Sequence, residues 1–166
     1  VINSAIGASP VGIYIDDTPI QSRISAASYW GNPFPVMFDV DRVEVERGPQ
    51  GTLFGAGAEG GALRFISPEP SLTVESGFTR AEVASTRGGG LSYEGGAAYG
   101  GPIVNDELGF RVSAWYRRDG GYIDRVDPFT GATAQEDANR TDSYALRAAL
   151  TFAPASFIKI TPSVYA

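Results

Sequence analysis

The stretch RGPQGTLFGAGAEGGALRFIS, residues 47–67, decides how this chain folds. Six of its residues between positions 48 and 61 are glycines, and the sequences on both sides resemble strands. Residues 55–60, GAGAEG, match the GxGxxG pattern of dinucleotide-binding loops. Two interpretations follow: a phosphate-binding loop of an enzyme, or a sharp turn between two strands of a different kind of protein.

The nucleotide interpretation requires a helix directly after the glycines, because the helix N-terminus binds the pyrophosphate. The sequence that follows, GALRFISPEP, is typical of a strand, and Pro68 and Pro70 interrupt it before a helix completes a second turn. No Lys-Ser or Lys-Thr pair follows the glycines, so a P-loop is excluded too. We therefore expect a strand–turn–strand unit that holds no phosphate.

Composition narrows the remaining functions of the 166 residues. The net charge of −6 argues against a nucleic-acid partner. Cysteine and histidine are both absent from the sequence, which excludes disulfides, Cys/His metal sites and His- or Cys-based catalysis. A hydrolase with a carboxylate pair stays formally open, but no motif places such a pair. We expect no enzymatic activity and no cofactor.

Neither a transmembrane helix nor a signal peptide is expected from the sequence. No apolar run approaches the ~18–20 residues that a spanning helix needs. The opening residues, VINSAIGASP, lack a charged segment, an apolar segment and an initiator Met. We expect the chain to begin inside a longer protein.

The region before residue 70 contains two clear strand patterns. VGIYIDDTPI (11–20) is predicted to be a strand that ends in a Pro-containing turn, and DRVEVERG (41–48) is predicted to be another. The segment between them has no clean period and is expected to be irregular.

From residue 71 onward the apolar residues alternate with polar ones, which predicts about five half-buried strands. The apolar positions of the clearest strands are Leu91, Tyr93, Ala97, Tyr99; Leu108, Phe110, Val112, Ala114, Tyr116; Tyr144, Leu146, Ala148, Leu150, Phe152; and Ile158, Ile160, Val164. The first strand, within 72–86, is less regular, and a bulge near Thr79 is predicted to bring Ala81 and Val83 onto the apolar face.

Short links (104–107 and 154–156) alternate with a long polar one (119–142), which is typical of outer-membrane barrels. A soluble sandwich also alternates, but the aromatic residues near strand ends favour a lipid interface. Arg111 and Arg147 lie mid-strand on the polar face, as a lumen requires, since an arginine at the lipid midplane costs ~2–4 kcal/mol. The long loop contains four acids, Asp124, Asp127, Glu136 and Asp137. We favour a solvated acidic loop over a Ca²⁺ site, because the acids lack EF-hand spacing.

The stretch FDVDRVEVERGPQGTLFGAGAEGGALRFISPEP resembles the end of the plug domain of TonB-dependent outer-membrane receptors. That family shows D-x-x-R-[IV]-E-V-x-R-G-P-Q-G-T-L-[YF]-G, then a Gly-Gly pair and a strand. The matching residues are Asp39, Arg42, Val43, Glu44, Val45, Arg47, Gly48, Pro49, Gln50, Gly51, Thr52, Leu53, Phe54, Gly55, Gly60 and Gly61. The family's Asp-Gly turn is Asp16-Asp17 here.

The resemblance implies a mainly β fragment of a plugged transmembrane antiparallel barrel: the C-terminal part of an α+β plug in 1–70 and the first barrel strands in 71–166. It implies active uptake of a scarce ligand, such as an iron–siderophore complex, across the bacterial outer membrane. The implied partners are outer-membrane lipid, the ligand and the TonB–ExbB–ExbD complex. The alternative is a non-transporting, carbohydrate-binding or adhesin-like β protein of the outer surface.

The predicted site residues fall into three groups. The plug motif, with a structural or gating role, comprises Arg42, Glu44, Arg47, Gly48, Pro49, Gln50, Gly51, Gly55, Gly60 and Gly61. Arg111 and Arg147 are predicted lumen charges, with Glu44, Glu46 and Glu59 as expected partners on the plug. Tyr29 and Trp30 are the ligand candidates, with core packing as the alternative.

Overall fold

The computed structural model describes residues 11–20, 34–55 and 57–166. The chain divides into two compact units, residues 1–68 and 69–166. No helix in these described ranges is long and apolar enough to cross a membrane.

The first unit contains a four-stranded sheet in the order β2-β1-β4-β3. Its strands are β1 (Val11–Ile15), β2 (Thr18–Pro19), β3 (Arg42–Arg47) and β4 (Gly61–Ile66), with the helical turn α1 (Gly51–Phe54) between β3 and β4. β4 lies parallel to β1 and antiparallel to β3. The strand predicted over 41–48 and the strand predicted after the glycines are therefore present.

The predicted strand over 11–20 is a hairpin. Asp16, with φ of 51°, and Asp17 form the turn between β1 and β2, and Pro19 pairs with Tyr14 inside β2. Proline is tolerated there because β2 is the edge strand of the sheet. The helical turn α1 was not anticipated, since four residues are too few to produce a helical period.

The second unit is an antiparallel sheet in the order β11-β10-β7-β6-β5, and β12 also pairs with β10. Its strands are β5 (Ser76–Ser85), β6 (Leu91–Val104), β7 (Leu108–Asp119), β10 (Thr141–Ala155), β11 (Ile158–Ile160) and β12 (Ser163–Tyr165). The long link between β7 and β10 carries a small hairpin of its own, β8 (Arg125–Val126) and β9 (Thr133–Gln135).

The two faces of this sheet are those that the alternation predicted. Tyr144 lies opposite Tyr116, Ala148 opposite Val112 and Leu150 opposite Phe110, so the apolar positions meet across strands. We call this side the apolar face and the opposite side the polar face. The apolar face is exposed, with Tyr144 66% accessible, whereas the polar face holds buried side chains. This is the inverse of a soluble sheet.

Two details of the sheet differ from the predictions. The bulge near Thr79 is absent, because β5 pairs with β6 without interruption from Ser76↔Gly100 to Ser85↔Leu91. Ala81 and Val83 reach the apolar face without it, and Arg80 takes the polar face. The last predicted strand is two short strands, since Pro162 lies between β11 and β12 and lacks the N–H that a ladder needs.

Candidate functional site

The glycine-rich turn between β3 and β4 depends on backbone conformations that glycine favours. Gly48 has φ of 84° and Gly55 has φ of 72°, both in the region that favours glycine. Gly61 has φ of 142°, and a Cβ there would collide with the carbonyl oxygen of Glu46 on β3. The amide of Gln50 donates to Ala58 O at 2.8 Å and closes the loop. These glycines serve sharp turning and close approach of strands, as the strand–turn–strand interpretation requires.

A side-chain contact fastens the turn to β1. The hydroxyl of Tyr14 donates to the carbonyl oxygen of Phe54, and the two rings meet edge to face with centroids 5.1 Å apart. Tyr14 is buried, and its ring lies over the bare Cα of Gly12. The turn that carries the motif is thereby held to β1.

Charged residues form a network on one side of this sheet. Glu44 lies at its centre: Oε1 accepts from Arg42 Nε at 2.8 Å and Oε2 accepts from Arg64 Nη1 at 2.7 Å. Arg64 Nη2 also donates to Asp17 at 2.6 Å, and Arg42 donates to Asp41 at 2.7 Å. The carboxylates of Asp41 and Glu44 raise the pKa of Arg42 above its ordinary value.

The network joins β3, β4 and the turn between β1 and β2. The predictions identified Arg42 and Glu44, and the structure brings them together. Arg64 was missed, although its position opposite Glu44 on the antiparallel partner strand is a direct signal once the pairing of β3 and β4 is known.

The polar face of the second sheet carries a carboxylate held by two arginines. The side chain of Glu94 on β6 is only 4% exposed. Arg117 Nη1 donates to its Oε2 at 2.9 Å. Arg80 Nε lies 2.6 Å from its Oε1, as an ion pair without hydrogen-bond geometry. Asp119 and Glu82 flank the arginines at 2.7 and 3.3 Å, so a ladder of alternating charge crosses β5, β6 and β7.

Arg111 and Arg147 lie on the polar face, opposite Ala149 and Ser113 respectively. Arg111 is 9% exposed and its Nη1 donates to Ser76 Oγ at 3.2 Å. Arg147 Nε donates to the hydroxyl of Tyr165 at 3.2 Å, and its guanidinium lies 5.6 Å from the centre of that ring. Among the described residues, Arg147 Nη1 is buried and has no hydrogen-bond acceptor.

The long link between β7 and β10 is ordered by its own acids. Asp127 accepts hydrogen bonds from the amides of Thr130 and Phe129, and these bonds lower the pKa of Asp127 below its ordinary value. Asp124 accepts from the amide of Asp137 at 2.9 Å. Across the described ranges, no group of three or more acids is arranged to hold a metal ion.

The remaining plug-motif residues lie in the turn, with Gln50 Nε2 3.5 Å from the carbonyl oxygen of Arg47. The side chain of Arg47 is exposed. The ligand candidates Tyr29 and Trp30 lie outside the described residues and stay predictions.

Known proteins resemble this chain in sequence and in fold. Residues 3–62 match the family model of the TonB-dependent receptor plug domain. The pesticin receptor of Yersinia enterocolitica is 32% identical over 122 residues, which is 74% of this chain and 16% of that receptor.

The ferric yersiniabactin uptake receptor FyuA of Yersinia pestis superimposes with a TM-score of 0.70 at 26% identity, over 94% of this chain and 22% of that one. The chain is part of a TonB-dependent receptor.

The siderophore receptor PirA of Acinetobacter baumannii shares the fold with this receptor segment, with a TM-score of 0.65 at 20% identity over 94% of the segment and 23% of PirA. The segment spans about a sixth of the length of the curated relatives it matches. The predicted family, the mainly β fold of a plugged barrel and the bacterial outer-membrane location are confirmed. The named relatives are receptors.

Proposed function

We propose that the receptor containing this segment imports a ferric siderophore across the outer membrane. The likeness to FyuA carries this proposal, since FyuA is a structural match at 26% identity whose name states the ligand that it takes up. Residues 1–70 form the later part of the plug in this proposal, and 71–166 form the first barrel strands. The exposed apolar face of the second sheet faces lipid, and the polar face lines the lumen.

The proposal places the energy source in the inner membrane. TonB with ExbB and ExbD pulls on the plug, because no nucleotide is available at the outer membrane. No bond of the ligand is made or broken in this transport, so an absence of histidine and cysteine does not hinder it.

Lumen charges hold the plug until it is pulled. In this proposal Arg111 and Arg147 pair with plug acids, for which Glu46 and Glu59 are the candidates with Glu44. The buried Nη1 of Arg147 supports the idea, since such a donor is costly to leave unsatisfied and a plug carboxylate would supply its acceptor.

Growth of a strain that lacks the full gene tests the transport proposal. We expect loss of growth on one ferric siderophore as the sole iron source, with restoration by the full gene and no restoration in a strain without TonB. Growth on cobalamin and on glycans serves as the control. Unchanged growth on every iron source, with a defect on glycan or cobalamin instead, would refute the siderophore assignment.

Leakage through the receptor tests the lumen charges separately. Replacing Arg111 and Arg147 together by glutamine in the full receptor is expected to raise the entry of a large antibiotic that the outer membrane normally excludes. Replacing Arg125 and Arg140, both in the β7–β10 link, is the matched control. Unchanged leakage together with unchanged uptake contradicts the role of the lumen arginines.

A further inference from the structure

The segment at the start of the second unit lies across the polar face of its sheet. We name residues 69–73 the strap. The carbonyl oxygen of Ser71 sits directly over Gly109 on β7, and the carbonyl oxygen of Leu72 accepts the amide of Asp106 at 3.0 Å. The hydroxyl of Ser71 accepts the amides of Thr73 and Val74 at 3.3 and 3.0 Å, which fixes the bend of the strap.

A glycine on β7 makes room for the strap. A Cβ at Gly109 would collide with the carbonyl oxygen of Ser71 and would lie 3.3 Å from Leu72 Cδ2. The residue opposite Gly109 is Thr151, whose side chain is fully buried, and Pro70 in the strap is buried as well. The strap is therefore packed against the polar face of the sheet.

The strap is tied to several strands of the sheet. Asp106 belongs to the short turn between β6 and β7. The next residue of that turn is Glu107, whose backbone carbonyl oxygen accepts a hydrogen bond from the amide of Ala153 on β10 at 2.7 Å. At the start of the strap, Glu69 pairs with Lys159 on β11. Lys159 is the single lysine of the sequence. Contacts from 69–73 thus reach the β6–β7 turn, β7 and β11 directly, and β10 through the turn.

The strap directly precedes β5. This strand begins at Ser76, five residues after Ser71, and pairs with β6 along its whole length. Tension that enters from residue 68 would open the β5–β6 ladder one pair at a time, starting at Ser76↔Gly100. Such sequential opening needs far less force than breaking all ten pairs together, because each step breaks only one or two hydrogen bonds.

We propose that the strap is a mechanical anchor. It takes up tension transmitted along the chain before that tension reaches β5, and so keeps β5 paired in the sheet while the first unit is pulled. The tension rests on the proposed function, but the anchor itself is a property of 69–73, Gly109 and Lys159. Load at the strap is spread over the β6–β7 turn, β7 and β11 before it reaches β5.

Force spectroscopy of the full-length receptor in a bilayer, pulled by its N-terminus, tests the anchor directly. We expect one force peak when the strap leaves Gly109 and a second when β5 begins to open, separated by about 17 Å for five extended residues. In Gly109→Ala the first peak is lost and the second occurs at unchanged length. Gly95→Ala on β6 is the matched control, because a Cβ at Gly95 meets no atom within 4 Å, and both peaks remain.

A charge exchange keeps the test informative if Gly109→Ala fails to assemble. Lys159→Glu places two carboxylates together and is expected to lower the force of the first peak, and Glu69→Lys with Lys159→Glu is expected to restore it. The effect is smaller than that of Gly109→Ala, since both side chains of this ion pair are more than half exposed. The proposal is overturned by a trace without a force peak about 17 Å before β5 begins to open. It is also overturned if Gly109→Ala leaves that peak intact.

A measurement in cells separates the anchor from a merely structural role. The fraction of folded barrel, read from heat-dependent mobility in gels, is expected to fall for Gly109→Ala in cells with TonB and to match the parent receptor in cells without it. An equal loss in both strains contradicts the anchor. Neither this assay nor the force trace requires a ligand, so a failed siderophore assignment would leave their outcome unchanged.

Discussion

Three glycines of the plug turn allow a graded test of what each glycine does. Gly61 combines φ of 142° with a Cβ position that collides with the Glu46 carbonyl oxygen. Gly48 has φ of 84° but open space around its Cβ position. Gly51 is the first residue of α1, without a positive φ and with nothing within 4 Å. Each is replaced by alanine in the full-length receptor.

The structure sets the order of the expected losses. A non-glycine residue in a sparsely populated region of φ costs about 1–3 kcal/mol. Gly48→Ala should show only this strain, about 1–2 kcal/mol. Gly61→Ala adds a backbone collision that is relieved only by separating β3 from β4, so we expect a loss of at least about 3 kcal/mol. Gly51→Ala should be neutral or stabilising by about 0.5–1 kcal/mol, because alanine favours a helical position.

Hydrogen exchange of the β3 and β4 amides measures these losses as free energies of local opening. Every 1.4 kcal/mol changes the protection about tenfold, so Gly61→Ala should reduce it by roughly a hundredfold or more. Equal protection in Gly61→Ala and Gly51→Ala would refute the close-approach argument. A loss in Gly48→Ala as large as in Gly61→Ala would show that φ alone matters.

Three further predictions concern the second unit. Val112→Arg should destabilise the refolded receptor in lipid by ~2–4 kcal/mol in a urea titration, because Val112 lies on the apolar face. Val112→Leu is the control and should leave the stability unchanged. Equal stability of the two variants would contradict a lipid-facing side. Glu94→Ala should cost about 1–3 kcal/mol in the same titration, because Arg117 loses its buried acceptor and Arg80 loses its ion-pair partner. Glu107→Ala in the exposed turn should change stability by less than about 0.5 kcal/mol. A neutral Glu94→Ala would show that the charge ladder is not stabilising. Ionised Asp127 accepts two loop amides and has a lowered pKa, so its contribution to loop order is present above its ordinary pKa of 3.8 and is lost as the pH falls through the lowered value. Nuclear magnetic resonance of the amides at 129 and 130 should show this transition in the parent receptor and none in Asp127→Ala, and a transition that survives the substitution would assign it to another group.

The two faces of the second sheet were predictable because side-chain alternation is a local property of an extended chain. Val112 and Arg111 point to opposite sides whatever pairs with β7. The same holds for the glycine-rich turn, where two prolines and the strand pattern of 61–66 were enough to reject a nucleotide loop. The place of Arg111 on the polar face of the second sheet followed from the alternation.

Pairing was not predictable to the same extent. The contact of Arg64 with Glu44 depends on the register of β3 against β4, and that of Arg80 with Glu94 depends on β5 continuing without a bulge. Register is set by partners that are distant in sequence, so a locally irregular strand such as β5 leaves its alignment open. A bulge was predicted because Phe78 and Arg80 are two residues apart and would otherwise lie on the same face of the strand. In the structure β5 has no bulge, and both residues lie on the polar face.

The sequence by itself determined the glycine-rich turn, the two faces of the second sheet and the family, because glycine positions, alternation and charge placement are set residue by residue. Only the tertiary structure decided that Gly109 seats the strap and that Glu94 lies between two arginines. Each of these depends on which backbone approaches which other backbone. That choice is made by the whole sheet, since no segment of the chain encodes the position of its neighbours.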